Sequence, residues 1–233
     1  MIISHKYKFI FVKTRKTAGS SIQTYLCNLC GEEDIVTPID KPESAYNPRN
    51  YKGFFNPIPR MQEQYPSKKK MLRTLWRCVS GKKFNSHIMA SHIRRRVPSD
   101  IWNSYYKFTV DRNPWDKVLS HFHFVRQRYT TFNEDISFDE YLNKADLPYN
   151  YTIYTDENKD LMVDRVIKYE NLDEELGEVF NDLGVPYEGS LNVYEKSHYR
   201  KEKKNYQESY SEYQKDIIQN KFAFEIGMHG YSF

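Results

Sequence analysis

Four apolar residues in a row, Phe9-Ile10-Phe11-Val12, give way to a cationic, hydroxyl-rich stretch. That stretch is Lys13-Thr-Arg-Lys-Thr-Ala-Gly-Ser-Ser21, and beyond it Ile22, Leu26 and Leu29 recur at helical spacing. The continuous run predicts a strand buried on both faces of a parallel sheet, and the spaced run predicts a helix stopped by Gly31. The same order returns at Tyr105–Val110, a strand, then Asp111-Arg-Asn-Pro-Trp-Asp116, then a helix turning Val118, Leu119, Phe122 and Val125 inward. Asn113 suits the N-cap, Pro114 the first helical position, and Asp116 the positive helix start. Ile88–Ile93 opens a helix that ends before Pro98. Ser137-Phe-Asp-Glu140 reads as a capping box for a helix through Lys144. A strand falls within Leu161–Tyr169, Asn171-Leu-Asp-Glu174 repeats the capping pattern for a helix ending near Gly184, and a last helix starts after Tyr210.

Between these units the pattern lapses. Residues 38–66 hold six of the ten prolines and show no periodicity, while 67–80 read as a basic helix. A stretch this long without regular structure is an insertion. Strand-turn-helix units argue for an α/β fold. The expectation is a single domain over residues 1–233, a central parallel sheet flanked by helices, with a Pro- and aromatic-rich insertion at about 38–80.

Composition narrows the partners. A chain of 233 residues with 39% hydrophobic residues can bury a full core. Its net charge of +4 does not argue for nucleic acid, although Lys68, Lys69, Lys70, Arg73 and Arg77, and then Arg94, Arg95 and Arg96, cluster locally. Twenty tyrosines fill core and rim, and those at a cleft can stack on sugars or bases. The three cysteines suit a reducing compartment, and the Cys27-x-x-Cys30 pair, lacking a second pair, reads as structural rather than redox-active or zinc-binding. No run of 18 apolar residues and no signal peptide is seen, so a soluble, cytoplasmic protein is expected. Oligomeric state is not legible.

The two turns carry the chemistry. A helix N-terminus binds phosphate through unpaired N–H groups and a partial positive charge. Gly19 permits close approach, Thr17, Ser20 and Ser21 add hydroxyls, and Lys16 adds a mobile charge with no acid in the loop to neutralise it. In the second turn Arg112 can grip a phosphate with a fork of donors, and Ser120 follows two helical turns on. Both turns should lie at the carboxyl edge of the sheet, where ligands bind. Two cationic turns side by side suit one ligand carrying two separate phosphates, such as a nucleoside 3′,5′-bisphosphate.

At this point the sequence resembles a family. Lys13-Thr-Arg-Lys-Thr-Ala-Gly-Ser-Ser-Ile22 looks like the 5′-phosphosulfate loop of sulfotransferases, and Arg112-Asn-Pro-x(5)-Ser120 like their 3′-phosphate motif. His87-Ile-Met-Ala90 with Ile93, Val166–Leu172 and the closing Gly230-Tyr-Ser-Phe233 resemble the carbohydrate-type branch. The resemblance implies a P-loop-like sulfotransferase fold and sulfuryl transfer from 3′-phosphoadenosine 5′-phosphosulfate to an acceptor hydroxyl or amine, a saccharide being favoured, with adenosine 3′,5′-bisphosphate released and no metal. It implies Lys16 at the leaving phosphate, with Arg15, Thr17, Ala18, Gly19, Ser20 and Ser21 around the donor and Arg112 and Ser120 on its 3′-phosphate. His87 is the first candidate for the base, with His92, His121, His123 and Glu170 as competitors. Tyr199, Arg200, Lys201, Lys203 and Lys204 match a donor-covering loop, or form a solvated basic linker. The family's usual proline before the lysine is replaced by Arg15, and Ser20 stands where threonine is frequent.

Two rival readings remain. A P-loop kinase needs its lysine directly after glycine, whereas Lys16 precedes Gly19 by three positions. A non-enzymatic polyanion- or nucleic-acid-binding module would use the basic segment from Lys68 to Arg96 instead.

Overall fold

The computed structural model of the chain describes residues 1–40, 42, 45–61, 68–128, 136–192 and 205–233. Five strands form one sheet: β1 (Ile2–Ser4), β2 (Phe9–Val12), β3 (Ile35–Val36), β4 (Tyr106–Asp111) and β5 (Arg165–Lys168). Their order is β3-β1-β2-β4-β5. β2, β4 and β5 run parallel, with Phe9 opposite Tyr106 and Thr109 opposite Val166. β1 and β3 are antiparallel additions at one side, so the expected parallel sheet is the centre of a mixed one.

The helices are α1 (Gly19–Leu29), α2 (Ile58–Met61), α3 (Lys68–Val79), α4 (Ala90–Arg94), α5 (Ser99–Ser104), α6 (Pro114–Arg128), α7 (Phe138–Lys144), α8 (Tyr151–Tyr154), α9 (Leu172–Leu183), α10 (Glu212–Lys221) and α11 (Ala223–His229). All four β2 side chains are buried, and they alternate between two layers as strand geometry demands. Phe9 and Phe11 pack with Ile22 and Leu26 of α1 and Val179 and Phe180 of α9. Ile10 and Val12 pack with Ala90 and Ile93 of α4 and Tyr154 of α8. Each such burial contributes on the order of 2 kcal/mol, so the strand that carries the cationic loop is held from both sides. A third cluster joins α6 and α7 to α10 and α11 around Phe122 and Tyr141.

Element ends follow local chemistry with three differences from expectation. Asn113 Oδ1 accepts the Trp115 N–H, and Ser137 accepts that of Glu140, as their N-cap positions require. The Asn171 side chain makes no cap bond, whereas Gly184 closes α9 in the left-handed region at φ 66°. The final helix is two, broken at Phe222, whose side chain is buried against α6. α1 leaves through an extended Cys30 (φ −70°, ψ 143°) rather than through a left-handed Gly31. There the insertion supplies the cap: the Arg49 guanidinium donates to the carbonyls of Cys27, Cys30 and Gly31.

That cap also bears on the cysteine pair. Burial, helped by the Asp34 carboxylate, pushes the Cys30 thiol up to about 12. It stays protonated at neutral pH and is a poor nucleophile. Alkylation of Cys30 in the native protein at mildly alkaline pH should be slow and should become fast on denaturation; rapid native labelling would restore a redox reading of the pair.

Candidate active site

The cationic loop runs from the end of β2 to the start of α1, and β4 beside it ends in the second turn. Because the two strands are parallel, both turns meet at one edge. Threonines stitch them together. Thr109 Oγ1 donates to the Val12 carbonyl at 2.6 Å, Thr14 Oγ1 donates to the Val110 carbonyl, and the Thr14 and Thr17 hydroxyls lie 2.8 Å apart. Arg112 Nη1 reaches across to the Lys16 carbonyl at 3.2 Å.

Lys16 and Ala18 both take left-handed backbone conformations, at φ 62° and 54°, with Thr17 between them outside that region. For residues bearing a Cβ this costs about 1 kcal/mol each or more. The alternation turns successive N–H groups toward one side, which is the concavity that holds anions. It leads into α1, whose N-cap residue, Ala18, makes no side-chain cap bond. The helix start therefore adds its own N–H groups and partial positive charge to the same place.

Gly19 serves the loop in a different way. It is not left-handed; a Cβ there would stand 2.8 Å from Lys13 Cγ and 3.2 Å from Lys13 Cε. The Lys13 side chain runs beneath it, buried, and its ammonium donates to Ser20 Oγ at 3.1 Å. Lys13 is thus a second cation built into the loop floor. The Lys16 ammonium sits 4.5 Å from the centre of the Phe124 ring on α6. Thr17 and Ser21 are buried, and Ser120 is half-buried on α6.

Arg112 is buried as well. Nε and Nη2 both donate to Asp116 Oδ2, at 2.8 and 2.5 Å, and the guanidinium stacks 4.1 Å over Tyr169. With Nη1 on the Lys16 carbonyl, three of its five N–H donors are engaged and two remain for a ligand. Asp116, expected only at the helix start, is what orients this fork.

His87 comes to the loop by its ring. Nδ1 lies 3.1 Å from the Lys13 carbonyl, and a carbonyl can only accept, so the proton is on Nδ1 and Nε2 carries a lone pair. Its pKa lies below the ordinary histidine value, through enclosure by protein and through the charge of Lys13. The side chain keeps an exposed edge, which tempers the first cause and leaves the second. The competitors are placed otherwise. His121 Nδ1 is bound to the Tyr141 hydroxyl at 2.6 Å, and burial with the charges of Lys16 and Arg15 depresses it to about 3. Glu170 accepts the Asn113 N–H at 2.7 Å, and His92 is buried. His123 lies on α6 against Phe122. Tyr199, Arg200, Lys201, Lys203 and Lys204 lie outside the described residues.

Behind the loop stands a polar ring that the sequence did not disclose. Asn150 Oδ1 accepts the Arg15 N–H at 2.9 Å, and its Nδ2 donates to the Arg15 carbonyl at 3.1 Å and to Asp111 Oδ1 at 2.9 Å. Asp111 and Glu225 both pair with Lys117, and Glu225 accepts the N–H groups of Asn150 and Tyr151. Tyr154 donates to Asp111 Oδ2 at 2.7 Å. Lys117, Asp111 and Glu225 are all buried, and each is met by opposite charge and hydrogen bonds. The Arg15 guanidinium points elsewhere, 3.7 Å from an exposed Asp146.

A strand-loop-helix at a parallel edge, with alternating backbone handedness and two lysines, places the chain among α/β proteins with a loop of the phosphate-loop kind. More specifically, the chain belongs to the sulfotransferase family, whose model matches residues 1–232. It is also similar to an uncharacterized protein of Archaeoglobus fulgidus, 34% identical over 116 residues, covering 47% of this chain and 94% of that one. Family membership supports an enzyme that transfers sulfuryl groups, using a sulfate donor. No helix among the described residues is long and apolar enough to cross a membrane.

Proposed function

We propose that this sulfotransferase takes its sulfuryl group from 3′-phosphoadenosine 5′-phosphosulfate and delivers it to an acceptor hydroxyl or amine, with a saccharide as the acceptor class. The observation that supports this best is the loop itself. Its alternating left-handed residues, an uncapped helix start and two lysines meet the second turn through the Arg112–Lys16 bond.

In this reading the N–H groups of Thr17 to Ser21, with Lys13 below and Lys16 above, hold the 5′-phosphosulfate. Charge that develops on the bridging oxygen as sulfur departs is met by Lys16. Arg112, through its two remaining donors, and Ser120 hold the 3′-phosphate and so fix the donor's register. His87 Nε2 takes the acceptor proton, its tautomer set by the Lys13 carbonyl. A saccharide rests on the resemblance to the carbohydrate-type branch and on the abundance of tyrosine in the chain.

Calorimetry with adenosine 3′,5′-bisphosphate in the presence of a chelator, followed by transfer from sulfur-labelled donor to an acceptor panel, tests the reading. Chelator-insensitive binding and labelled product are expected; magnesium-dependent ATP binding with no bisphosphate binding would overturn it. Arg112→Ala should weaken bisphosphate binding, and because it also removes the Asp116 pair and the bond to the Lys16 carbonyl, a melt of the variant must accompany the heat of binding.

The base makes a pH prediction. His87 must be neutral to act, and its folded pKa is lowered, so activity should stay level through neutrality and fall only as pH drops well below the ordinary histidine value. Lys13→Met removes a positive neighbour, so the His87 pKa rises and the acid limb of kcat/KM shifts to higher pH. An acid limb that stays in place in the variant would move the base elsewhere.

A further inference from the structure

From Gln64 to Ser99 the chain carries no Asp or Glu, while Lys68, Lys69, Lys70, Arg73, Arg77, Lys82, Lys83, Arg94, Arg95 and Arg96 are all basic. Within this stretch α3 is held to the insertion by one side. Thr74 is buried, and Cys78 Sγ lies 3.4 Å from the Phe55 carbonyl. The segment after α3 pairs back through Gly53 N–H to the Gly81 carbonyl and Phe84 N–H to the Tyr51 carbonyl. The Arg96 guanidinium covers the Phe55 ring at 3.8 Å.

The other side of α3 is apolar and faces out. Leu72, Leu75, Trp76 and Val79 fall at i, i+3, i+4 and i+7, which is one face of a helix. They are 68%, 41%, 58% and 85% exposed, and Phe54 in the anchoring segment is 87% exposed. An isolated exposed leucine needs no explanation, but an aligned set on an anchored helix does.

We propose that this face is a docking surface for an anionic lipid bilayer, with α3 lying in the interface plane. Two features together select this occupant. An acidic polymer would satisfy the positive charge and leave Trp76, Leu72 and Val79 in water. A neutral apolar partner would bury those side chains and leave the exposed Lys68 and Arg73 unused. A bilayer with anionic headgroups takes both, the apolar face among the acyl chains and the bases among the phosphates. Lys82, 4.5 Å from the Trp76 ring, sets one such base beside the tryptophan, whose indole suits the headgroup boundary.

The protein carries its own reporter. Its other tryptophans, Trp102 and Trp115, are buried, so a change in emission on binding belongs to Trp76. Flotation of the full chain with vesicles of phosphatidylcholine mixed with phosphatidylglycerol should recover it in the lipid fraction with a blue-shifted emission. Pure phosphatidylcholine should recover far less. Leu72→Glu with Trp76→Glu should lower partitioning roughly tenfold or more while thermal unfolding and bisphosphate binding stay as in the parent. Arg73→Gln with Lys82→Gln should weaken binding and reduce its salt dependence, with the Trp76 blue shift retained on whatever binds. Absence from the mixed-vesicle fraction, or equal recovery with the neutral lipid, overturns the proposal. So does a concentration-dependent dimer that Leu72→Glu abolishes, or dextran sulfate binding that vesicles fail to compete.

Discussion

Lys16→Ala is expected to lower kcat for sulfuryl transfer by roughly 10²–10³-fold, the scale on which one preorganised charge-stabilising group contributes to a transition state. The substitution leaves the loop's backbone geometry comparable. Alanine and lysine are disfavoured alike in the left-handed conformation the position takes at φ 62°, so the backbone strain is unchanged. The substitution removes the contact of the ammonium with the half-buried Phe124 ring, a cation–π pair worth about 0.5–1 kcal/mol. A melt within a few degrees of the parent, joined to the loss in kcat, therefore isolates chemistry from stability. Lys16→Arg restores the charge but not its shape: a planar fork on a longer stem replaces a compact, mobile ammonium, and only partial recovery is expected. A Lys16→Ala enzyme with parental kcat would remove Lys16 from the reaction.

The second large effect falls on stability. Lys117→Met should cost about 3–5 kcal/mol, because it leaves Asp111 and Glu225 buried without their shared cation. The pH dependence contributed by Asp111 should reverse along with it. In the parent, Lys117 and hydrogen bonds from Asn150 and Tyr154 outweigh burial and hold Asp111 below the ordinary carboxylate value. That contribution is present above the unfolded pKa and fades as pH falls through the folded one. In the variant, burial and mutual repulsion raise Asp111 and raise further a Glu225 that burial already holds above its ordinary value, so the folded form binds protons more readily than the unfolded one. Its deficit should narrow as pH drops toward the carboxylate range. Chemical denaturation at neutral and acidic pH reads this directly, and a second variant, Lys117→Met with Glu225→Gln, should recover part of the loss. A deficit under 1 kcal/mol at neutral pH would show that the ring does not behave as a paired, buried network.

Much of this architecture could be read from the chain, and the reasons differ by element. Phe9–Val12 announced a strand because it is buried on both faces and Tyr105–Val110 because aromatic and β-branched residues fill it, and the turns after them were read as phosphate-binding because charge and small residues are adjacent in sequence. β1 went unread, since Ile2–Ser4 is three residues long and pairs antiparallel, with no turn chemistry before it. Lys13 was visible as a lysine but not as the floor of the loop, because its passage under Gly19 is a through-space contact across a turn. Asn150, Lys117 and Glu225 are ordinary surface residue types by composition. Only folding brings Asn150 to Arg15, 135 positions away, and Glu225 to Lys117, 108 positions away. Arg112 was read as a donor fork; that Asp116 already takes two of its donors was not foreseen, although the i,i+4 spacing permits it.

The Asn150 clasp changes what residue 15 means. An amide that accepts from a backbone N–H and donates to the carbonyl of the same residue treats that residue as a neighbouring strand would. Proline, usual at this place in sulfotransferases, has no N–H to offer, and could engage only half of the clasp. The departure at Arg15 therefore lies in the main chain rather than in its charge. Where proline stiffens the approach to the lysine through its ring, this protein obtains the same stiffness from a side chain 135 residues distant, anchored in turn to the buried ions. The rigidity of the loop has been moved from a covalent constraint to a tertiary one, and it lasts only as long as α8 and α11 stay packed against the sheet edge.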